Sequence, residues 1–290
     1  MPDRFETVSF LSDYGVVDEF VGVVKSVIRN LAPHAVVVDL SHSIVPYDVR
    51  GASLALARAV QYLVPGVVLA VVDPGVGSER RAVAVEVADE GSVFVGPDNG
   101  LLASAVAMAG GATRAVALTE PAFQLPAPGP TFAGRDVFAP AVAHLCNGVD
   151  LAELGEPVEP DTLLPGVLPL SRHEDGAVVA EVLWVDRFGN VQLNVDPDEL
   201  LGVDDPVSLL FHDRVHSARR ADSYSAIPAG AVGLVVDAYG LISIAANRHS
   251  AAGDLGLEVG DSVTVRAGSD AGRTDGATSP VALRPTRRPS

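Results

Sequence analysis

GVVLAVVDPGVGSERR, residues 66–81, is the stretch on which the reading of this chain turns. Its apolar run continues without alternation to residue 72 and stops at Asp73, followed by Pro and Gly. Short, Val-rich and unalternating, such a run is a strand buried on both faces, as in a parallel sheet covered by helices. Two upstream stretches read the same way: TVSFLSD, reaching Asp13, and AVVVDLSH, reaching His42. Helix-like stretches lie between them. The first starts from Asp18, a good N-cap residue, carries Phe20, Val23, Val24, Val27, Ile28 and Leu31 on one face, and is stopped by Pro33. The second follows Asp48 and ends near Pro65. Strands alternating with helices predict an α/β domain built on a mostly parallel sheet with helices on both faces. In such sheets functional groups collect beyond the carboxyl ends of the strands, where Asp13, His42 and Asp73 fall.

Downstream, RAVAVEVA and SVFVGPDNG continue the strand pattern, and 101–109 reads as a helix opened by Asn99 and Gly100. The α/β domain is placed at 1–147. From 148 to 175 the chain is rich in Pro, Gly and acids without a sustained period, the signature of a connecting segment. Over 176–267 the runs AVVAEVLWVD, NVQLNVD, VSLLF, AVGLVVDAYG, LISIAAN and SVTVRAG are β-branched and evenly separated by turn residues. They predict a smaller antiparallel β-barrel, with a sandwich as the alternative. Residues 268–290, Gly, Thr, Pro and Arg without apolar period, read as a disordered tail.

Lys and Arg number 20 against 37 Asp and Glu, a net charge of −17. A surface that acidic repels phosphate backbones and anionic headgroups, so neither nucleic acid nor a membrane surface is expected as a partner. The one cysteine, Cys146, excludes an intrachain disulfide and sits in an apolar run as a small buried hydrophobe. Asp3, Arg4 and Glu6 interrupt the start where a secretion signal needs an apolar stretch, and no later run reaches membrane-spanning length, so a cytoplasmic protein is expected.

Chemistry concentrates in a few short motifs. Asp13, in SDYG, can accept two hydrogen bonds from a diol such as a ribose, or can cap a turn. In DPGVGSERR two glycines let backbone approach a ligand, while Asp73 and Arg80, seven apart, can meet across the loop. A purely structural salt bridge is the alternative there. TFAGRDVFAP brings another close-approach glycine, Gly134, beside Arg135 and Asp136, which suit local pairing. In VDRFGNVQLN, Asp186, Phe188 and Asn190 share a turn; an Asn amide suits an adenine edge and a Phe offers a stacking face, unless the Asn merely serves a hairpin. Tyr239, Asn247 and Arg248 lie near later turns. The seven histidines show no paired metal-ligand spacing, and no metal is expected. No G-x-S-x-G, phosphate loop or G-x-G-x-x-G occurs.

In this order, SDYG, HSIVPYDV, VVDPGVGSERR, GPDNGLL, TFAGRD, DRFGN and AYGLISIAANRHSAA resemble the S-adenosylmethionine hydroxide adenosyltransferases, a family related to the fluorinases and chlorinases. The likeness runs from about residue 7 to 265. It implies cleavage of S-adenosyl-L-methionine at ribose C5′ by water or hydroxide, giving adenosine and L-methionine, with no cofactor. Asp13 would take the ribose hydroxyls, and Tyr47 and Phe132 would line the sugar and adenine cleft. Asn190 would read adenine, with backbone of the Ala246 to Arg248 turn. Asp18, Asp186 and the Ala238–Tyr239 turn would face the methionine end. The family implies a homotrimer, with ligand between the first domain of one subunit and the second domain of its neighbour.

The sulfonium leaves as a neutral thioether, so no acid is needed to protonate it. The protein must align a nucleophile behind C5′ in a preorganised site. Asp73 can accept water's proton, and Arg80 can fix that carboxylate by a two-pronged pair. Halogenating relatives carry Tyr where this chain has Asp73, and fluorinases carry Ser where it has Gly134. A carboxylate at 73 repels halide, which favours hydrolysis over a halide-dependent adenosyltransferase. Hydrolytic relatives complete the Asp–Arg set with His in T-F-H-G-R-D, where this chain has Ala133. That exchange leaves a non-catalytic adenosine or S-adenosylmethionine binder as a further alternative.

Overall fold

The run that opened the sequence reading forms the strand Val67–Val71, and its burial explains its composition. Val67, Leu69 and Val71 face one apolar layer, whereas Val68 and Ala70, with Val72 just beyond, face another. A strand covered on both sides has no position for a polar residue, hence no alternation. The computed structural model describes residues 5–88 and 91–268. The chain divides into two units after Pro169.

The first unit runs β1 Thr7–Ser12, α1 Phe20–Leu31, β2 Val36–Ser41, α2 Val49–Val60, β3 Val67–Val71, β4 Ala82–Val87, β5 Val93–Pro97, α3 Ala103–Met108, β6 Ala112–Ala117, α4 Ala139–Cys146 and β7 Glu156–Val158. Its seven strands lie in the order β2-β1-β3-β5-β4-β6-β7. Helices α1 and α4 pack on one face through Val24, Ile28, Val142 and Leu145. Helices α2 and α3 cover the other through Ala52, Leu56, Ala105 and Val106.

Three details differ from the sequence reading. Only β2, β1, β3 and β5 pair in parallel; β4, β6 and β7 join antiparallel, so the sheet is mixed rather than mostly parallel. The cause is local: no helix separates β4 from β5, and a short connection can only return the chain antiparallel. The cap position of α1 is Glu19, not Asp18, and no side chain caps it. Glu19 already has helical backbone angles, so no extended residue turns a carboxylate onto the first-turn N–H groups. Asp48 does cap α2, accepting from Gly51 N at 2.8 Å. Lastly, part of the segment read as a linker belongs to the first sheet, since β7 pairs with β6. Arg81 reaches Thr162 Oγ1 at 3.1 Å and Asp98 accepts from Leu164 N at 2.8 Å, so polar tethers hold this stretch where no apolar period could announce it.

The second unit runs β8 Arg172–Glu174, β9 Ala177–Val185, β10 Val191–Leu193, β11 Val207–Phe211, β12 Arg214–Arg220, β13 Val232–Val236, β14 Ile242–Ala246, α5 Ala251–Leu255 and β15 Ser262–Ala267. The order β9-β10-β14-β13-β12-β11-β15 returns to β9 and closes a barrel, with β8 added outside β9. Every pairing is antiparallel except β12 with β13. Closure removes the exposed edges that a small sheet otherwise has to protect. Val182, Val191, Leu193, Leu209, Ile244 and Val263 fill the interior.

Among the described residues no helix is long and apolar enough to cross a membrane. Cys146 is buried, and that burial pushes its thiol up to about 12, as a structural cysteine requires. The tail read at 268–290 lies, from residue 269, outside the described residues.

Candidate active site

The carboxyl ends of β1, β2 and β3 carry the polar residues of the first unit. Strands β1 and β3 pair in parallel with Ser12 opposite Val71, so Tyr14 and Asp73, each two residues further on, leave the sheet at the same level. Asp13 N donates to Val71 O at 3.4 Å, and Gly15 N to His42 O at 2.8 Å. Asp13 Oδ2 accepts from Tyr47 N at 2.9 Å, steadying Tyr47 at a φ of 69° that a residue other than Gly or Asn seldom takes. The Tyr47 ring itself is exposed. Below this layer the buried Ser12 hydroxyl meets His42 Nδ1 at 2.8 Å, and His42 Nε2 stands 3.1 Å from Asp39. His42 therefore ties the first two loops together from within.

The loop after β3 brings Asp73 to Arg80 as its spacing suggested. Arg80 Nε donates to Asp73 Oδ1 at 2.8 Å, and Nη2 donates to Oδ2. The turn is closed by Val76 N to Asp73 O at 3.2 Å and by Ser78 N to Gly75 O at 3.1 Å, with Gly77 at a φ of 79°. The Asp73 side chain is only 6% exposed and that of Arg80 14%, so the pair is largely desolvated and stronger than a surface bridge. Arg80 also lies over the Phe138 ring, 5.4 Å from its centroid.

Phe138 ends a π-helical turn, Gly134–Phe138, that runs directly into α4. Such turns are rare and recur at functional sites. Arg135 pairs with its neighbour Asp136, Nε to Oδ1 at 2.6 Å, and stacks on Phe132, so these charges are spent locally as expected. Phe132, Phe20 and Tyr14 meet edge to face or tilted, with centroids 5.1–5.8 Å apart, and form an aromatic wall. A Cβ on Gly134 would fall 2.2 Å from the Tyr14 hydroxyl oxygen, so this glycine is dictated by Tyr14. Burial raises the pKa of Tyr14, and the Asp13 and Asp73 charges add to it, while Arg80 opposes them. Tyr14 was not among the candidates read from the sequence. Its position in SDYG, next to Asp13, was the only signal. Ala133 lines a cavity of about 480 Å³ together with Arg80 and Asp136. Asp18 is exposed.

In the second unit Asp186 organises its own turn. Its Oδ1 accepts from Phe188 N and Asn190 N, both at 2.8 Å, and Oδ2 accepts from Asn190 Nδ2 at 2.7 Å. Asn190 is thereby buried and oriented, while the Phe188 ring stands 77% exposed, open to stacking. Gly189 O accepts from Ala252 N at 2.9 Å, which sets this turn against the residues after β14, where Arg248 has a φ of 57° and Ala246 bridges to His249. Nearby, Asp237 accepts from Gln192 Nε2 at 2.6 Å, Tyr239 N at 2.8 Å and Ser243 Oγ at 3.0 Å. Tyr239 meets Trp184 edge to face. Tyr224 faces both carboxylates: partial burial, then the Asp186 and Asp237 charges, raise its pKa. Asp237, Gln192 and Tyr224 were also missed, because they stand apart in the chain, on a turn, a strand and a short 3₁₀ turn that only the fold brings together. Among the described residues no group of three His, Cys, Asp or Glu side chains could hold a metal ion.

The first unit thus offers a fixed carboxylate within an aromatic wall, suited to accepting a proton from water. The second offers an oriented Asn amide beside an exposed ring. A family model described as the SAM hydroxide adenosyltransferase N-terminal domain matches residues 8–155, and that of the C-terminal domain matches 180–264. The (R)-S-adenosyl-L-methionine hydrolase of Salinispora tropica is 42% identical over 90% of this chain and 98% of that protein. A fluorinase from an Actinoplanes species is 26% identical over 89% of this chain and 96% of its own length. The crystal structure of an uncharacterized conserved protein from Thermotoga maritima aligns with a TM-score of 0.82 at 32% identity, covering 89% of this chain and 99% of that one.

Proposed function

The chain belongs to the SAM hydroxide adenosyltransferase family, and from that premise we propose that it hydrolyses S-adenosyl-L-methionine at ribose C5′, giving adenosine and L-methionine. The observation that carries this reading is the buried, two-pronged Asp73–Arg80 pair at the carboxyl edge of the sheet. A water oxygen attacks C5′, the C5′–S bond breaks, and sulfur keeps the electron pair as a neutral thioether. Asp73 takes the proton released from the water. Arg80 holds the carboxylate in place by the two-pronged pair, which fixes the direction of its oxygens. Because the leaving group is already activated, alignment and preorganisation supply the rate.

Asp13 is the proposed acceptor for the ribose hydroxyls, with Tyr47, Phe132 and Gly134 beside the sugar and base. Asn190, Phe188, Ala246 and Arg248 are assigned to adenine, and Asp18, Asp186 and Tyr239 to the methionine end. We take the protein to be a cytoplasmic homotrimer whose substrate lies between subunits. Val36 and Val38 on the edge strand β2 are exposed, in keeping with burial against another copy. Light scattering on the purified chain should then give three times the 29.9 kDa of one copy; a monomer mass would remove this part of the reading.

The direct test is incubation with S-adenosyl-L-methionine, with and without chloride, followed by chromatography. Adenosine and methionine in equal amounts, independent of chloride, is the expected result. 5′-Chloroadenosine would replace hydrolysis by halide transfer, and binding without product would make the protein a sensor or sequestering protein.

The cavity beside Ala133 has room for an imidazole close to Arg80. Ala133→His should therefore raise kcat on the order of ten-fold, less than the ~10²–10⁴ of a sole general base, because Asp73 already accepts the proton. A lower or unchanged kcat in a steady-state assay would show that the pocket works with alanine alone.

A further inference from the structure

We propose that Tyr14 is a further catalytic residue of this site, its hydroxyl holding the attacking water at a second point while Asp73 takes the proton. This inference rests on the hydrolase reading above and adds a group to it.

Tyr14 and Asp73 leave adjacent parallel strands at one level, fixed by the Ser12 to Val71 register. The π-helical turn Gly134–Phe138 touches both sides of the site: its first residue abuts the Tyr14 hydroxyl and its last lies beneath Arg80. One rigid element thus sets both groups relative to Asp73. The ring is packed edge to face against Phe10 and Phe132 and tilted against Phe20, which leaves its oxygen in one place. That oxygen lies against Gly134, in the space a side chain there would take.

The water's needs match what is offered. One of its hydrogens goes to Asp73, one lone pair points at C5′, and the remaining hydrogen is left to be held. The Tyr14 oxygen can accept that hydrogen, which fixes the direction of the attacking lone pair. The hydroxyl itself stays protonated throughout, since burial and two nearby carboxylates oppose its ionisation. No proton beyond the one passed to Asp73 moves, so the balance of the hydrolysis is unchanged.

The same contact accounts for Gly134. Any side chain there must displace the hydroxyl, because even a Cβ would come within 2.2 Å of the oxygen and 3.1 Å of Cζ. The Tyr14 oxygen therefore fills the space into which a residue 134 side chain would project.

Tyr14→Phe removes one oxygen and keeps the ring packing. In the full chain we expect kcat to fall by ~10-fold or more, with KM for S-adenosyl-L-methionine within about three-fold and thermal unfolding unmoved. A structural role alone would instead move unfolding or KM. Gly134→Ala should lower kcat when Tyr14 is present, and should add less in the Tyr14→Phe background, where the clashing oxygen is gone. If the unaltered chain turns over and Tyr14→Phe matches its kcat within two-fold, the present inference falls while the hydrolase reading stands. If the unaltered chain forms no adenosine, both fall together.

Discussion

Asp73→Asn is expected to lower kcat for adenosine formation by ~10²–10⁴-fold, the range for loss of a positioned proton acceptor. KM should stay within about three-fold, since the interaction removed is one realised only as the water attacks. The argument starts from the loop. Both carboxylate oxygens are engaged by Arg80, one through Nε at 2.8 Å and the other through Nη2. An Asn amide keeps one acceptor and turns an NH2 group toward the guanidinium, so one prong is lost and a donor faces a donor. The Arg80 charge, 14% exposed, is then left largely uncompensated, which should reduce stability by about 1–3 kcal/mol beside the loss of rate. Rates are therefore compared well below the unfolding transition. A variant that keeps its kcat within three-fold would show that another group takes the proton.

The largest structural effect is expected at Phe138. It has no exposed surface, belongs to the core between the sheet and helices α1 and α4, and carries Arg80 over its ring at 5.4 Å. Phe138→Ala opens a void in a rigid place, at the join of the π-helical turn and α4, where the chain can collapse little. A loss of roughly 3–5 kcal/mol follows for a buried Phe truncated in this way. At about 2–4 °C per kcal/mol for a unit of this size, calorimetry should show the transition of the first unit lowered by roughly 6–20 °C. A shift corresponding to under about 1 kcal/mol would mean that the site repacks. Activity should fall at the same time, because Arg80 loses the surface that sets its height.

Both predictions join residues of differing legibility. Asp73 and Arg80 stand seven apart on one loop, so the sequence alone could suggest their pairing, and the structure shows it. Asn190 and Phe188 were legible for the same reason, since a single tight turn organised by Asp186 presents them. Tyr14 and Gly134 are 120 positions apart and meet only because the turn before α4 folds back across the end of β1. Gln192 on β10 and Asp237 in the turn between β13 and β14 meet across the end of the intervening strand β14. Side chains brought together by pairing register leave no local spacing to read.

The fold divides along the same line. The unbroken apolar run 67–72 and the capped, amphipathic 49–60 determined an α/β unit with a covered central strand, because burial on two faces excludes polar residues along that strand. Regular β-branched runs determined a second, all-β unit. Which strands turned antiparallel, that 156–158 joined the first sheet, and that β9 met β10 to close the barrel were decided only in three dimensions. Those outcomes depend on backbone hydrogen bonds, which every residue type but proline can make and which therefore write nothing specific into the sequence. The site follows suit: composition and motif determined that a carboxylate would sit at the edge of the sheet, while tertiary packing decided which hydroxyl stands at its level.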